Sequence, residues 1–412
     1  MGKTIVEKIL SHAAGSDDGV AGDIVNARVS HLMTNDAVGE LTVNAFTGIR
    51  NAAPWDKNRI SVVLDHYVPA TTENAARVHK LLRDFARRHG VHLFDHKGVC
   101  HQVMVENFVL PGDVVIGTDS HTCTYGGLGA FATGVGSTDG AAAMATGKIW
   151  LKIPETIRIE LKGSLPDHVH AKDLVLYLIG RLGADGATYK ALEFSGEGAA
   201  RISNAGRFTI CNMAIEAGAK TAVFAPDAVT RRFLGQRSDK GLFFASDPDA
   251  VFSDTITIDL DTLVPQVACP YSVDQVAPVN KVQGQKIDQA FIGSCTNGRI
   301  EDLRVAARVL QEKNVNSRVR LLIAPASSVI YHQAMREGLM EIFQKAGAVI
   351  CNPGCSACFG GQGMLWENEV CIGTHNRNFV GRMGHKHAKV YLASPETTAL
   401  SAIAGCITNS SS

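Results

Sequence analysis

A regular alternation of strand and helix patterns in the C-terminal third of the chain limits its fold more than any other feature. Apolar β-branched runs predict strands, and amphipathic stretches between them predict helices, in the order 287–292, 300–310, 319–323, 328–346 and 348–350. Strands that alternate with helices favour a parallel sheet with helices packed against it. Similar patterns earlier in the chain predict strands at 60–64, 114–117 and 157–161 and a helix at 71–89. The expected fold class is therefore α/β.

The length and one proline-containing stretch suggest how the chain is divided. A chain of 412 residues is expected to form about two or three domains. The stretch 263–284 contains three prolines and few periodic apolar positions, which predicts a connection between lobes. We therefore predict three α/β subdomains, at 1–153, 154–284 and 285–412.

Three cysteines follow predicted strands in this fold. Cys295 comes after one strand, and Cys355 and Cys358 come after another. Because ligands of open parallel sheets gather at the carboxyl ends of the strands, these thiols are expected to lie in one crevice. Three thiolates could hold a cluster of four irons and leave one iron free to act as a Lewis acid.

Two other interpretations of these cysteines stay open at this stage. Cys351 would complete a set of four thiolates for a structural zinc ion, or the thiols could be unrelated buried groups. A zinc site usually pairs two short Cys-x-x-Cys segments. Here only one such pair exists, and Cys295 lies 60 residues before Cys355. The spacing therefore disfavours zinc.

Polar residues with acid–base or anion-binding chemistry lie at further predicted strand ends. They include Asp65-His66, the run Asp119-Ser120-His121, and two arginines, Arg377 and Arg382. A carboxylate beside an imidazole raises its pKa, and arginine binds carboxylates through two parallel hydrogen bonds. Capping hydroxyls, an Asx-turn and solvated surface charges would explain the same residues without any function.

The motifs together resemble those of the aconitase superfamily. The matching segments are Gly-Thr-Asp119-Ser120-His121, Gly-Ser-Cys295-Thr-Asn, Cys355-x-x-Cys358 and Asn376-Arg377-Asn378-Phe379-x-Gly-Arg382. The resemblance runs from Asp65 to Arg382 and is greatest to the large subunits of two-subunit hydro-lyases such as 3-isopropylmalate dehydratase and homoaconitase.

This resemblance implies a fold and a cofactor. The fold would be three α/β subdomains of the aconitase type around a central cluster, without the mobile fourth (swivel) domain of single-chain aconitases. The cofactor would be a [4Fe-4S] cluster held by Cys295, Cys355 and Cys358, with one iron lacking a protein ligand.

The resemblance also implies roles for polar residues. Three carboxylate–imidazole pairs would handle protons: Asp65 with His66, Asp119 with His101, and Glu216 with His121. The substrate would contact Ser120, Asn376, Arg377 and Arg382, and Asn212 would lie beside the cluster or the substrate.

A missing motif implies a partner. Single-chain aconitases carry a Gly-Ser-Ser-Arg motif whose serine is the catalytic base, and this sequence contains no such motif. The resemblance therefore implies that a separate small subunit carries the swivel domain and the base, and that this chain alone turns over poorly.

The expected reaction is the reversible dehydration of a hydroxy dicarboxylic acid. The first choice is the interconversion of 3-isopropylmalate and 2-isopropylmalate in leucine biosynthesis. Two departures from the isopropylmalate pattern, Asn35 and the segment Gly373-Thr374-His375, keep homocitrate, methylmalate and dimethylmalate as alternatives. Both positions are expected near residues that face the substrate.

Composition excludes several other classes of protein. Forty basic residues balance forty acidic ones, so nucleic-acid binding, including an iron-responsive RNA-binding role, is not expected. The N-terminus lacks a secretory pattern and no apolar run is long enough for a bilayer. Ten cysteines without an export signal then predict a reducing, cytoplasmic location. A simple electron-transfer protein is also disfavoured, because it usually keeps every iron bound by cysteine.

Overall fold

The computed structural model describes residues 2–409 as a mixed α/β fold. The strands in this part of the chain are β1 Ile24–Arg28, β2 His31–Asn35, β3 Ile60–Leu64, β4 His92–Asp95, β5 Val114–Gly117, β6 Phe131–Gly134, β7 Lys148–Lys152, β8 Thr156–Lys162, β9 Ala191–Ser195, β10 Thr221–Phe224, β11 Asp254–Asp259, β12 Gln266–Ala268, β13 Val276–Pro278, β14 Gln289–Gly293, β15 Arg320–Ala324, β16 Val349–Ile350, β17 Val370–Gly373 and β18 Lys389–Leu392.

Helices connect most of these strands. They are α1 Ile5–Ala14, α2 Gly39–Thr47, α3 Glu73–His89, α4 Cys100–Asn107, α5 Ser137–Thr146, α6 Ala171–Leu182, α7 Glu197–Arg201, α8 Asn204–Met213, α9 Ala228–Leu234, α10 Ser294–Asn297, α11 Ile300–Leu310, α12 Ser328–Arg336, α13 Leu339–Lys345 and α14 Pro395–Ala404. Short 3₁₀ turns follow two site strands, at Ser120–Leu128 and Ser356–Phe359.

The strands form three parallel or mainly parallel sheets and one small ribbon. A five-stranded sheet has the order β4-β3-β2-β5-β6, and a four-stranded sheet has the order β10-β9-β8-β11; every pair in both is parallel. A seven-stranded sheet has the order β13-β12-β18-β17-β14-β15-β16. Strands β1 and β7 pair antiparallel as a separate ribbon. The predicted α/β class is confirmed.

Local sequence explains the predicted helix near residue 71. Thr72 is its N-cap, because the threonine hydroxyl accepts a hydrogen bond from the backbone N–H of Ala75 and the helix therefore begins at Glu73. Such a cap stabilises a helix by about 1 kcal/mol. The apolar face buries Val78, Leu82 and Phe85, and Gly90 ends the helix with a positive φ of 67°.

Two predicted elements differ from the structure. The single helix expected at 328–346 is two helices, α12 and α13, because Gly338 between them has a φ of 74° that breaks the helical path. The connection expected at 263–284 contains the hairpin β12–β13, and β12 pairs with β18 of the seven-stranded sheet. The three-part division of the chain stays a prediction.

The apolar core joins the sheets to the cysteine loop. One buried cluster includes Leu161 and Phe194 of the four-stranded sheet, and it continues to Cys355 and Cys358. A loop embedded in such a core cannot move far without exposing apolar surface. The cysteines therefore occupy a rigid part of the molecule.

Candidate active site

One cavity of about 740 Å³ collects most of the predicted site residues. Its lining includes His66, His101, Asp119, Ser120, His121, Cys295, Cys355, Cys358, Asn376, Arg377 and Arg382. Asp65 and Glu216 do not line it; each stands behind a histidine that does. Two of the histidines that line the cavity therefore have a carboxylate behind them.

The strands explain why these distant residues meet. His66 follows β3 and Asp119 follows β5 of the five-stranded sheet, while Cys295 follows β14 and Asn376 follows β17 of the seven-stranded sheet. The carboxyl ends of both sheets face the cavity, as expected of parallel α/β sheets. A backbone hydrogen bond of 2.9 Å from Cys355 N–H to the Asp65 carbonyl joins the two sets of loops.

A glycine permits this close approach. Gly354 has a φ of 157°, and a Cβ atom at this position would lie 2.7 Å from the Asp65 carbonyl oxygen. Any side chain would therefore push the cysteine loop away from the loop that carries His66.

Two of the three sulfurs, those of Cys295 and Cys358, receive hydrogen bonds from nitrogen donors. The amide of Asn212 donates to the sulfur of Cys295 at 3.2 Å, and that of Asn376 donates to the same sulfur at 3.4 Å. The guanidinium of Arg382 donates to the sulfur of Cys358 at 3.2 Å. Donors aimed at sulfur favour the thiolate, which is the form that binds metal.

The thiols have unequal acidities. A hydrogen bond from Cys355 lowers the pKa of Cys358 well below its ordinary value and raises the pKa of Cys355 well above it. Burial raises the pKa of Cys295 to about 12. Metal binding would therefore have to displace protons from Cys295 and Cys355.

Three of the four cysteines considered for a metal line the cavity, namely Cys295, Cys355 and Cys358. Cys351, which a four-thiolate zinc site would need, does not line the cavity.

Each of the three expected carboxylate–imidazole pairs is in contact. His66 Nδ1 lies 2.7 Å from Asp65, His101 Nε2 lies 2.9 Å from Asp119, and His121 Nε2 lies 2.9 Å from Glu216. The structure therefore brings these pairs together, while their catalytic roles stay predictions.

The charges of these pairs follow from their surroundings. Burial alone would lower the pKa of His66, but the carboxylates of Asp65 and Asp36 raise it well above its ordinary value. The pKa of His121 is also raised, against burial and the nearby charge of Arg377, by hydrogen bonds to Asp119 and Glu216. Burial would raise the pKa of Asp119, but His101 and His121 lower it well below its ordinary value.

Only one of the three histidines leaves a ring nitrogen unengaged. Both ring nitrogens of His101 contact protein oxygens, those of Asp119 and of the Tyr125 hydroxyl. Both ring nitrogens of His121 also lie within 3.5 Å of protein oxygens. In the part of the chain that the structure describes, no protein atom binds Nε2 of His66. His66 can therefore exchange a proton with a molecule in the cavity.

The two arginines differ in how they are held. Arg377 Nε donates to Glu216 at 2.8 Å, and within residues 2–409 its two terminal nitrogens have no protein partner. Arg382 donates through Nε to the Cys358 carbonyl at 2.8 Å and through Nη2 to the sulfur. Arg377 is therefore freer to bind a carboxylate, and Arg382 is held by the cysteine loop.

The two departures from the isopropylmalate pattern lie behind the cavity wall. The fully buried Asn35 amide donates to Asp119 at 3.2 Å, and His375 is also fully buried. Neither lines the cavity. Asn35 contacts Asp119 and His375 directly precedes Asn376, but neither side chain reaches the cavity itself. The expectation that both positions lie near residues facing the substrate stays a prediction.

Asp36 is a site residue that the sequence reasoning missed. Its buried carboxylate accepts hydrogen bonds from the consecutive backbone N–H groups of Asp65, His66 and Tyr67 at 2.9–3.1 Å. It also lies 2.9 Å from Nε2 of His79. Asp36 thereby fixes the loop that carries His66; it directly follows β2, a strand that the sequence analysis did not predict.

Comparison with known proteins agrees with this arrangement. The family described as "Aconitase family (aconitate hydratase)" matches residues 7–284 and 278–405. The large subunit 1 of 3-isopropylmalate dehydratase from Methanopyrus kandleri is 51% identical over 99% of both chains. A probable methanogen homoaconitase large subunit from Methanothermobacter thermautotrophicus is 47% identical over 98% of this chain and 96% of the relative.

A solved structure supports the fold, and the lengths and hydrophobicity of the helices bear on whether the chain could cross a membrane. Thermococcus kodakaraensis aconitase X superposes with a TM-score of 0.55 at 14% identity, over 91% of this chain and 89% of that one. Among residues 2–409, no helix combines the length and apolar character needed to cross a membrane. The family match covers nearly the whole chain. The chain therefore belongs to the aconitase family, as its motifs predicted.

Proposed function

We propose that this chain is the large subunit of an iron–sulfur hydro-lyase that interconverts 3-isopropylmalate and 2-isopropylmalate by dehydration and rehydration. One observation carries the proposal: a single cavity joins three cysteine sulfurs to His66, whose Nε2 no protein atom among residues 2–409 binds. Dehydration of a hydroxy acid needs both a Lewis acid and a proton donor at the leaving hydroxyl.

Family membership implies an iron–sulfur cluster, and the donor set supports a [4Fe-4S] cluster held by Cys295, Cys355 and Cys358. With three cysteine ligands, such a cluster would supply a Lewis-acidic iron that has no ligand from the protein.

The chain's own residues would orient the substrate and move protons. Arg377 would bind a substrate carboxylate through its two free terminal nitrogens, since Glu216 already holds its Nε. His66 would deliver its proton from Nε2 to the leaving hydroxyl, and Asp65 would hold the ring through Nδ1. Asp119 would keep His101 and His121 oriented along the same wall.

A small subunit would complete the site. The sequence contains no Gly-Ser-Ser-Arg motif, and Ser120 is the single serine that lines the cavity among the described residues. We infer that the base that removes the carbon-bound proton, and the swivel domain that carries it, come from that partner.

Homocitrate-type acids are the second candidate substrates. A homoaconitase large subunit is 47% identical to this chain, close to the 51% of the isopropylmalate relative. Because Asn35 and His375 do not line the cavity, their departure from the isopropylmalate pattern gives no direct argument against that substrate.

A substrate panel tests the proposal. The chain is purified without oxygen, its iron and sulfide are measured, and candidate small subunits are added with isopropylmalate, homocitrate, methylmalate or dimethylmalate. We expect about four irons and four sulfides per chain and turnover of isopropylmalate. Protein free of iron that carries one zinc per chain would contradict the cofactor. Turnover of homocitrate alone would contradict the substrate.

A further inference from the structure

Lys172 is a buried cation that the proposed reaction does not use. It lies in the first turn of α6 and is 0% exposed. Its ammonium donates to two consecutive backbone carbonyls, that of Thr374 at 2.8 Å and that of His375 at 2.6 Å. The next two residues are Asn376 and Arg377, which line the cavity.

No carboxylate of the described residues is in direct contact with this lysine. Among residues 2–409, no acidic oxygen lies within 4.0 Å of Lys172 Nζ. The neighbouring Asp173 accepts hydrogen bonds from the backbone N–H groups of His170 and Gln266, each at 2.8 Å. A buried ammonium without a counter-ion is costly, so its retention calls for a negative charge nearby.

Cysteine sulfurs have the largest charge effect on Lys172. Burial lowers the pKa of Lys172 to about 7, and Cys295 and Cys358 oppose this shift most. The carboxylates of Asp173 and Asp302 oppose it less. In the cluster-free chain Cys295 is a thiol, because burial raises its pKa to about 12. A cluster held by three thiolates is itself an anion and would therefore add negative charge at these cysteines.

Through Thr374, the same lysine is also linked to the loop that carries Cys295. The Thr374 hydroxyl accepts a hydrogen bond from the Gly293 N–H at 3.0 Å and lies 3.3 Å from the Gly293 carbonyl. Gly293 immediately precedes the short helix that carries Cys295. These contacts therefore connect α6 to the loop that carries Cys295 and to the loop that carries Asn376 and Arg377.

We propose that Lys172 is a positioning residue with two tasks. It ties the Thr374–His375 backbone in place, so that Asn376 and Arg377 keep their positions in the cavity. It also supplies the buried positive charge that offsets the bound cluster; this second task rests on the proposed function, while the first does not.

His375 cannot supply that charge instead. Burial lowers the pKa of its imidazole to about 4, so the ring is neutral at pH 7. Both ring nitrogens are buried without a hydrogen-bond partner. In contrast, Arg382 is only half-buried, so part of its charge is screened by solvent.

Hydrogen–deuterium exchange of the cluster-free chain tests the first task. Lys172→Met keeps the length of the side chain but removes the donors, and Lys162→Met removes an exposed lysine as a matched control. We expect amides of the 370–378 segment to exchange at least about tenfold faster in Lys172→Met, and unchanged in Lys162→Met. Unchanged exchange in Lys172→Met would overturn the tether.

The midpoint potential of the reconstituted cluster tests the second task. A reduced cluster is more negative, so loss of the lysine charge should lower the potential. We expect at least a tenfold fall in the ratio of reduced to oxidised cluster at a fixed potential, about 59 mV for one electron. Lys172→Arg retains the charge and should restore most of the wild-type value.

Further variants separate the possible failures. If Lys172→Met does not fold, Lys172→Gln keeps one donated hydrogen bond without the charge and should show the same fall in potential. A potential unchanged in both neutral variants would overturn the charge role. A wild-type chain that takes up no cluster would contradict the proposed function and with it the charge role, while the exchange measurement would still decide the tether.

Discussion

The cavity has two walls, and the groups that surround the reactive side chains have opposite charges on the two walls. On the cysteine wall, built from loops of the seven-stranded sheet, the neighbours are nitrogen donors and cations, such as Arg382 beside Cys358 and Lys172 beneath Thr374. On the histidine wall, built from loops of the five-stranded sheet, the neighbours are carboxylates, such as Asp65 beside His66 and Asp119 beside His101.

This difference follows from the form in which each group works. A metal ligand must be a thiolate, and positive charge favours that form. A proton donor must be an imidazolium, and negative charge favours that form. Damage to one wall should therefore remove the cofactor, and damage to the other should remove catalysis while the cofactor stays bound.

The largest effect is expected from the cysteine wall. Cys295→Ser removes a ligand that two amides already orient, so the chain should lose most of its iron and sulfide. Activity with the small subunit should fall at least about a thousandfold. Cys351→Ser is the matched control, because Cys351 lies in the same loop region but does not line the cavity. Equal iron loss in both variants would contradict the expectation that the cysteines lining the cavity bind the cofactor.

The histidine wall should fail in a different way. His66→Gln removes the ring whose Nε2 is free, so kcat should fall by about 10²- to 10⁴-fold while the iron content stays at the wild-type value. Iron and sulfide are assayed beside initial rates on the same preparation. A variant that turns over normally would remove His66 from the reaction.

Arg377 belongs to the cysteine wall but pairs with the carboxylate of Glu216, and it tests whether the substrate is bound through this arginine. Arg377→Lys keeps the charge but loses the planar pair of donors, so KM should rise about 10- to 100-fold with a smaller change in kcat. Steady-state kinetics with the small subunit present measures both constants. An increase in kcat with unchanged KM would contradict the carboxylate-binding role.

The histidine wall should also make stability depend on pH. The folded-state pKa of His66 is raised above its unfolded value of about 6.5. Its contribution is therefore fully present below about pH 6.5 and is lost as the pH rises through the folded-state pKa. Denaturant unfolding of the cluster-free chain should show wild type losing stability relative to His66→Gln as the pH rises above about 6.5. A constant difference would contradict this.

The smallest effect is expected at Asn35. Asn35→His changes a position at which the sequence departs from the isopropylmalate pattern, but the position is buried behind Asp119 and outside the cavity. The ratio of kcat/KM for isopropylmalate and homocitrate should change by less than about threefold, because discrimination needs contact with the substrate. A reversal of substrate preference would show that a residue buried behind the histidine wall can alter substrate selection.

The sequence alone predicted much of the fold and eleven of the residues that line the cavity. Helix α11 begins and ends where its apolar period predicts, and β3 and β5 also match their predicted bounds. Cys295 and Asp119 could be placed in the site because they follow strands whose carboxyl ends must face the same edge of a parallel sheet.

The tertiary structure alone decided how deep each polar residue lies and which partner it meets. Lys172 reads in the sequence as an ordinary lysine in the first turn of a helix, and Asp36 reads as a turn residue, yet both are buried anchors of the site loops. Asn35 and His375 are next to cavity residues in sequence but stand behind the wall. Periodicity fixes which residues share a face, whereas burial and pairing depend on contacts between segments far apart in the chain.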